Sequence, residues 1–334
     1  MSDFVVSARR IRQGAFIAEP GPSRFLIVDA EQLPAPEQGR TGVTWINAWL
    51  QQMLAEAVWG VDERTGANRG DILIFVHGYN NSPAELMARH RQLKSDLHAV
   101  GWKGVVVSFD WPCDNKAAGY LEDRHDAKQS AMQLVTDLIS LLATRQTPDC
   151  AINTHILAHS MGAYVVREAF DDADDARLDN NSWMISQLCF IGADISAQSL
   201  NEGNATTDSL YRHSMRLTNY FSLGDSVLKL SNVKRAGVAP RAGRIGLPAL
   251  APRSSANVDC SLYHQALLQS AALQAADQPS GFHGNQSHSW FFGNRVFTLD
   301  LFETLKGDLD RSILPTRSPS LTERSFNLIR PAGT

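Results

Sequence analysis

Cysteine is scarce and unpaired in this sequence. The four residues, Cys113, Cys150, Cys189 and Cys260, form no C-x-x-C motif, and Cys189 and Cys260 fall in apolar, strand-like runs. They read as reduced, mostly buried thiols of a cytoplasmic protein. An excess of positive charge is also missing. The formal net charge is −4, so no global field recruits nucleic acid or anionic lipid, and no nucleic-acid role is expected. No apolar run approaches the length needed to span a bilayer. The opening Met-Ser-Asp-Phe-Val-Val-Ser-Ala-Arg-Arg carries an acidic residue where a signal peptide needs positive charge, and no apolar core follows. An intracellular, soluble chain is expected. Internal repeats are absent.

What remains is an ordinary globular composition. The 334 residues are 43% hydrophobic and 20% charged, enough to bury a substantial core in one large α/β domain or in two. Two β-like runs, Phe4–Ala8 and Phe25–Val28, flank Pro20-Gly21-Pro22 and predict an antiparallel hairpin at a sheet edge. A helix is expected near Thr44–Trp59. The continuously apolar run from Asp71 to His77 predicts a strand buried on both faces. Ser82-Pro83-Ala84-Glu85 is a capping box with proline at the first helical position, and Gly101 ends the helix it opens. A second buried strand is expected over Gly104–Asp110. Ala127, Ala131, Leu134, Leu138 and Leu141 mark a long amphipathic helix. An acidic loop follows over 171–179, then strands over Gln187–Asp194 and Arg216–Ser222, a loop rich in Arg, Gly, Pro and Ser over 232–256, a strand over Val258–Tyr263 and a helix over Val296–Leu305. Strands alternating with helices from 71 to 305 imply a mostly parallel sheet covered on both faces. The tail 307–334, with Pro315 and Pro319, is expected to be extended or poorly ordered.

The rest is organised around residues 152–166, Ile-Asn-Thr-His-Ile-Leu-Ala-His-Ser-Met-Gly-Ala-Tyr-Val-Val. A β-rich run ends at Ser160 between Ala158 and Gly162, and an apolar helical pattern starts at once. Small-x-Ser-x-Gly suits a nucleophile held at the apex of a strained strand-to-helix turn, where larger neighbours would collide. The pentapeptide alone is weakly specific, since a serine at a helix start also caps N–H groups. Its weight comes from the other parts of a serine hydrolase following in order.

A serine hydroxyl needs a base, a group that orients the base, and donors aimed at the developing oxyanion. Of ten histidines, His288 lies in the polar loop between the last strand and the last helix, which should emerge at the carboxyl ends of the strands. His283 shares that loop and is the alternative base; His159 is read as packing or hydrogen bonding. For the acid, Asp225 follows a strand after the nucleophile and before the histidine, although it also suits a cap on residues 226–230. Asp194, one strand earlier, is the alternative acid, with Asp110 and Asp259 ranked lower. The backbone N–H of Met161 is one oxyanion donor because it follows the nucleophile. The second is expected from Tyr79 in the loop His77-Gly78-Tyr79-Asn80, where Gly78 allows close backbone approach.

The order His-Gly-x-Asn, Ala-His-Ser-Met-Gly, a strand-end Asp, then His resembles the α/β-hydrolase superfamily. More closely, Phe109-Asp-Trp-Pro112, Tyr120 with Asp123, Ala158-His-Ser-Met-Gly162, Phe221-Ser-x-x-Asp225 and His288-Ser-Trp-Phe with Asp300 resemble a bacterial branch catalogued as a domain of unknown function. The resemblance covers roughly residues 71–306. Ala158 departs from the usual Gly, and Cys113 stands where that branch often has Ser; no function is attached to it. What the resemblance implies is a mostly parallel sheet of about eight strands with helices on both faces, in a single domain over 1–306 whose first 70 residues add edge strands and a helix. It also implies acyl transfer through Ser160 with His288 and Asp225, and no metal or organic cofactor. A serine at 160 excludes the carboxylate nucleophile of dehalogenases and epoxide hydrolases of this fold, leaving ester, thioester or amide cleavage.

A small-molecule ester or acyl compound is the expected substrate. Aromatic residues near the site-forming ends, Tyr79, Trp111, Tyr120, Trp290 and Phe291, suggest an apolar pocket, with Trp111 and Trp290 as candidate contacts. Only the stretch Ile195–Met215 is open to a lid, so any lid is small. A non-catalytic binder of the same fold, and a peptidase or amidase with the same triad, are the rival readings.

Overall fold

The computed structural model describes residues 2–113, 120–144, 150–173, 183–233, 239–320 and 322–332. Residues 174–179 of the acidic stretch and 234–238 of the Arg- and Gly-rich stretch lie outside the described residues, as do the side chains of Tyr120 and Asp123. Where a single domain is expected, the chain groups into two compact units, residues 1–91 with 103–185, and residues 92–102 with 186–334.

The first unit holds β1 (Asp3–Arg12), β2 (Ala15–Val28), β3 (Gly39–Arg40), β4 (Val58–Val61), β5 (Asn68–Val76), β6 (Val105–Asp110) and β7 (Ala151–His159). Their order is β7-β5-β6-β1-β2-β3, with β4 paired to β5. β5 runs parallel to β6 and β7, and β6 parallel to β1. The apolar run read as a strand buried on both faces is one: Ile72, Leu73, Ile74, Phe75 and Val76 are all buried. Each such side chain contributes about 1.5–3 kcal/mol by leaving water. The expected hairpin forms, but it turns elsewhere. β1 and β2 meet at Gln13 and Gly14, with φ of 52° and 78°, the left-handed pair that a two-residue hairpin loop requires. Pro20-Gly21-Pro22 instead lies inside β2, opposite a bulge around Arg9, where a Cβ on Gly21 would stand 2.6 Å from Arg10 Cα. β1 is therefore an interior strand.

Helices in this unit follow their sequence signals. Val43–Ala57 packs through Trp49, whose ring meets Phe4 and Phe25 edge-on and whose N–H donates to Leu26 O at 2.9 Å. The capping box closes as expected, Ser82 N–H to Glu85 at 2.7 Å and Glu85 N–H to Ser82 Oγ at 3.2 Å. The long amphipathic helix is α over Tyr120–Gln133, π over Leu134–Ile139 and α again over Ser140–Ala143.

The second unit holds β8 (Ile185–Ile191), β9 (Ser214–Phe221), β10 (Ser255–Asp259), β11 (Arg317–Pro319) and β12 (Ser325–Leu328), in the order β11-β12-β10-β9-β8. β10 is parallel to β9 and β12, and β11 antiparallel to β12. Twelve strands are thus found among the described residues, against about eight expected. The stretch Val258–Tyr263 is a strand only to Asp259. The Asp259 carboxylate accepts the Ser261 N–H at 2.8 Å, turning the chain into a helix over Ser261–Gln269 that carries Tyr263. Between Ile195 and Ser214 only a 3₁₀ turn, Ala197–Leu200, and a short helix, Asp208–Arg212, intervene; no large insertion sits there.

The tail corrects the sequence reading most. It is neither loose nor merely extended, because residues 317–319 and 325–328 add two strands. A buried ion pair fastens it: the Arg317 guanidinium holds Asp300 through Nε at 2.8 Å and Nη2 at 2.6 Å, with both side chains fully excluded from solvent. Tyr220 Oη and Thr316 Oγ1 also donate to that carboxylate, at 2.7 and 2.5 Å. Burial raises the Tyr220 phenol well above its ordinary range.

Candidate functional site

In the first unit, Ser160 stands between β7 and the helix Gly162–Ala173 with φ of +55°. A left-handed non-glycine residue costs about 1–2 kcal/mol, so the turn holds strain at its serine. The flanking glycines show what forces the geometry. A Cβ on Gly162 would stand 2.3 Å from Val76 O and 2.6 Å from His77 O, because the helix begins against the end of β5. A Cβ on Gly78 would stand 2.9 Å from Ser160 Cβ and 3.0 Å from His159 Nδ1. The loop after β5 therefore lies with its backbone directly on the serine. Met161, 1% exposed, opens the helix, accepting the Val165 N–H at 3.1 Å. His159 is buried beside the turn, and its Nδ1 accepts from Arg89 at 3.3 Å.

The loop carrying Tyr79 is braced from within. Asn81 Nδ2 donates to Gly78 O at 2.7 Å and to Tyr79 O at 3.0 Å, and His77 Nδ1 donates to Gly78 O at 2.8 Å. Asn80, the asparagine of the His-Gly-x-Asn pattern, is exposed with φ of +59° and serves the turn. Arg9 of β1 reaches into the same place, donating to Asn81 O at 2.8 Å, to Cys113 O at 3.3 Å and to Asp110 at 2.8 Å. Ser7 Oγ donates to the other Asp110 oxygen at 2.8 Å, and His77 Nε2 lies 3.4 Å from Asp110 Oδ1. The Cys113 thiol sits in this cluster, 3.4 Å from Asn81 N. Burial alone would neutralise these groups. For Asp110 it is outweighed by the charges of Arg9 and His77, which bring the carboxyl down to about 2. For His77 burial is again outweighed, by Asp110 and Cys113, and its value rises to about 9.

In the second unit, His288 and Asp225 are brought together, Nδ1 to Oδ2, at 2.6 Å, both buried. Both carboxylate oxygens of Asp225 are engaged. Its Oδ1 accepts the Leu228 N–H at 2.9 Å and caps the helix Ser226–Val233, while Oδ2 holds the imidazole. Ser226 N–H donates to Ser287 Oγ at 3.1 Å, and the two hydroxyls share a 2.7 Å bond that ties the histidine loop to the aspartate turn. Gly192, at the end of β8 with φ of +54°, leaves room for the ring: a Cβ there would lie 3.1 Å from His288 Cε1 and 3.2 Å from Nδ1. Donation from Nδ1 to the carboxylate leaves Nε2 of a neutral ring as the basic nitrogen.

The alternatives fare differently. Asp194 is held by the buried Arg241 at 2.9 Å, and His283 is exposed. Asp110 belongs to the Arg9 cluster and Asp259 to its own turn. Trp111 and Trp290 are both 0% exposed. The Trp111 ring lies parallel to His77 and donates to His77 O at 2.8 Å, and Trp290 stacks on Phe291 and His264. Both are core residues, and neither offers a face to a substrate. Asn81, Arg9 and Gly192 escaped the sequence reading; the one available signal was a charged residue closing the apolar run of β1. Among the described residues no cluster of three or more His, Cys, Asp or Glu suits a metal ion, and no helix is long and apolar enough to cross a membrane.

Comparisons with known proteins give one family match and several distant likenesses. Uncharacterized protein alr1448 of Nostoc sp. (strain PCC 7120) is 42% identical over 62 residues, 19% of this chain and 15% of that protein, so the chain spans a small part of that relative. Among solved structures, a chain described as a cell surface hydrolase from Lactobacillus plantarum is 16% identical, covering 58% of this chain and 83% of that one with a TM-score of 0.35. Est1E from Butyrivibrio proteoclasticus is 11% identical over 66% and 97%, with a TM-score of 0.32. A family model described as alpha/beta hydrolase of unknown function (DUF900) matches residues 56–265, a span that holds Ser160 and Asp225 and stops short of His288. That span exceeds half of the chain, and with its mostly parallel strands and covering helices the protein belongs to this family of α/β hydrolases.

Proposed function

We propose that the protein is a serine hydrolase that cleaves carboxylic esters through an acyl-enzyme on Ser160. The observation that carries the reading is the +55° φ of a buried serine with glycine at both points where a Cβ would collide. Strain of this kind is kept where it aims a reactive side chain. The buried imidazole–carboxylate pair of His288 and Asp225 supplies the base and its orienting group.

In the proposed reaction Ser160 Oγ bonds to the ester carbonyl carbon while its proton passes to His288 Nε2. The negative charge that collects on the carbonyl oxygen is met by the N–H groups of Tyr79 and Met161. Collapse of the tetrahedral adduct expels the alcohol, which takes its proton from His288. Water, deprotonated by the same nitrogen, then releases the acid and restores the serine. Asp225 holds the ring in the tautomer whose Nε2 takes up the serine proton. No cofactor enters these steps.

A fluorophosphonate probe with a series of aryl esters of increasing acyl length tests the proposal. Labelling is expected at Ser160, with turnover reduced by several orders of magnitude in Ser160→Ala and by about 10³–10⁴-fold in Asp225→Asn, where the ring tautomer is lost. Labelling that persists in Ser160→Ala removes the nucleophile. Parallel assays of matched amides and thioesters decide whether the triad serves a peptidase, amidase or thioesterase instead.

A further inference from the structure

We propose that His77 and Asn81, backed by the buried Asp110–Arg9 pair, are positioning residues that fix and polarise the Gly78–Tyr79 peptide. This rests on the serine-hydrolase reading above and assigns a task to a cluster which that reading leaves unused. The Gly78 carbonyl and the Tyr79 N–H are two ends of one planar unit. Two donors on the carbonyl oxygen, Asn81 Nδ2 at 2.7 Å and His77 Nδ1 at 2.8 Å, set the direction in which the N–H points and strengthen it as a donor. A carbonyl with two donors, one of them cationic, is more than a tight turn needs.

The cluster is built to keep that cation. Asp110, pinned by Arg9 and Ser7, faces His77 Nε2 at 3.4 Å. The charged and titratable groups facing the ring are Asp110 and Cys113, with Arg9 behind Asp110; across Gly78 stand His159 and Arg89. At neutral pH the ring, at about 9, carries both protons. Above that value it keeps one. If the proton stays on Nδ1, a lone pair faces the carboxylate; if it moves to Nε2, the bond to Gly78 O is lost. The first arrangement weakens the donor by removing its charge, and the second releases the peptide.

The test measures kcat and KM with 4-nitrophenyl butyrate from pH 7 to 10.5, and the affinity of a trifluoromethyl ketone whose hemiketal mimics the oxyanion. Wild type, Asn81→Ala and His77→Gln are compared, with folding followed by circular dichroism. Asn81→Ala is expected to lower kcat about 10- to 100-fold, less than or equal to removal of an oxyanion donor, with KM within about threefold and ketone affinity falling in step. Wild-type kcat should decline as pH rises through about 9, and His77→Gln should lack that limb. A wild-type profile flat to pH 10.5, or a loss in Asn81→Ala carried by KM alone, overturns the proposal. If a variant fails to fold, the wild-type profile still decides. Absence of Ser160 labelling in the wild type is a different result: it defeats the hydrolase reading, and the positioning role falls with it.

Discussion

Replacing Arg317 with Met tests whether the C-terminal segment is docked by its buried ion pair. Asp300 accepts four bonds in the folded protein, two of them from Arg317. Hydrogen bonds to a charged group are worth about 1.5–3 kcal/mol each, and breaking a buried pair by removing one partner costs about 3–5 kcal/mol. A ceiling exists, because neutralising a carboxylic acid of ordinary acidity at pH 7 costs about 4 kcal/mol. The expected loss is therefore about 4 kcal/mol. With an unfolding entropy of about 2.1 cal/mol/K per residue over 334 residues, this lowers Tm by about 6 °C if the chain melts as one. The shift is about twice that if the second unit, near half the chain, melts alone. Calorimetry of Arg317→Met, Asp300→Leu and the double variant reads the coupling directly. The double variant, with no stranded charge, should recover most of the loss. A shift below about 2 °C in Arg317→Met, or additive losses in the double variant, would refute the reasoning.

Other outcomes follow from the same contacts. Gly192→Ala forces a left-handed alanine and pushes the His288 ring by a few tenths of an ångström; ester turnover should fall at least tenfold, on the order of misplaced catalytic groups elsewhere, while Tm drops by only a few degrees. Gly162→Ala brings a Cβ to 2.3 Å of a β5 carbonyl and should abolish fluorophosphonate labelling or folding outright; a labelled, stable variant would contradict the turn geometry. For pH, His77 has a raised value, so its stabilisation is full below about 6.5 and lost as pH rises through about 9; Asp110 has a lowered value, so its stabilisation is full above about 3.8 and lost as pH falls through about 2. Urea midpoints should decline at both extremes, and the alkaline decline should vanish in His77→Gln.

The parts legible in the sequence are those written in local pattern. β5 announced itself as a continuous apolar run, the capping box as a spacing, and Ser160 as a small-x-Ser-x-Gly turn. Asp225 and His288 could be ranked by chain order, though not chosen over Asp194 and His283 by any local feature. What stayed hidden depends on residues far apart in the chain. Nothing near Arg9 says that its guanidinium meets Asp110 some hundred positions later, and nothing near Arg317 says that its polar, proline-marked surroundings carry two strands. Trp111 and Trp290 were misjudged for a related reason: an aromatic residue near a strand end reads the same whether it faces a pocket or fills the core.

One consequence concerns how this protein is cut. The span recognised by family matching runs from 56 to 265. A chain trimmed to it would keep Ser160 and Asp225, yet shed His288 and the first strand, whose arginine props the loop after β5. It would also drop the two terminal strands and the guanidinium that neutralises Asp300. Expressed alone, such a fragment should be both less soluble and inert, and its silence would say nothing about the chemistry of the whole molecule.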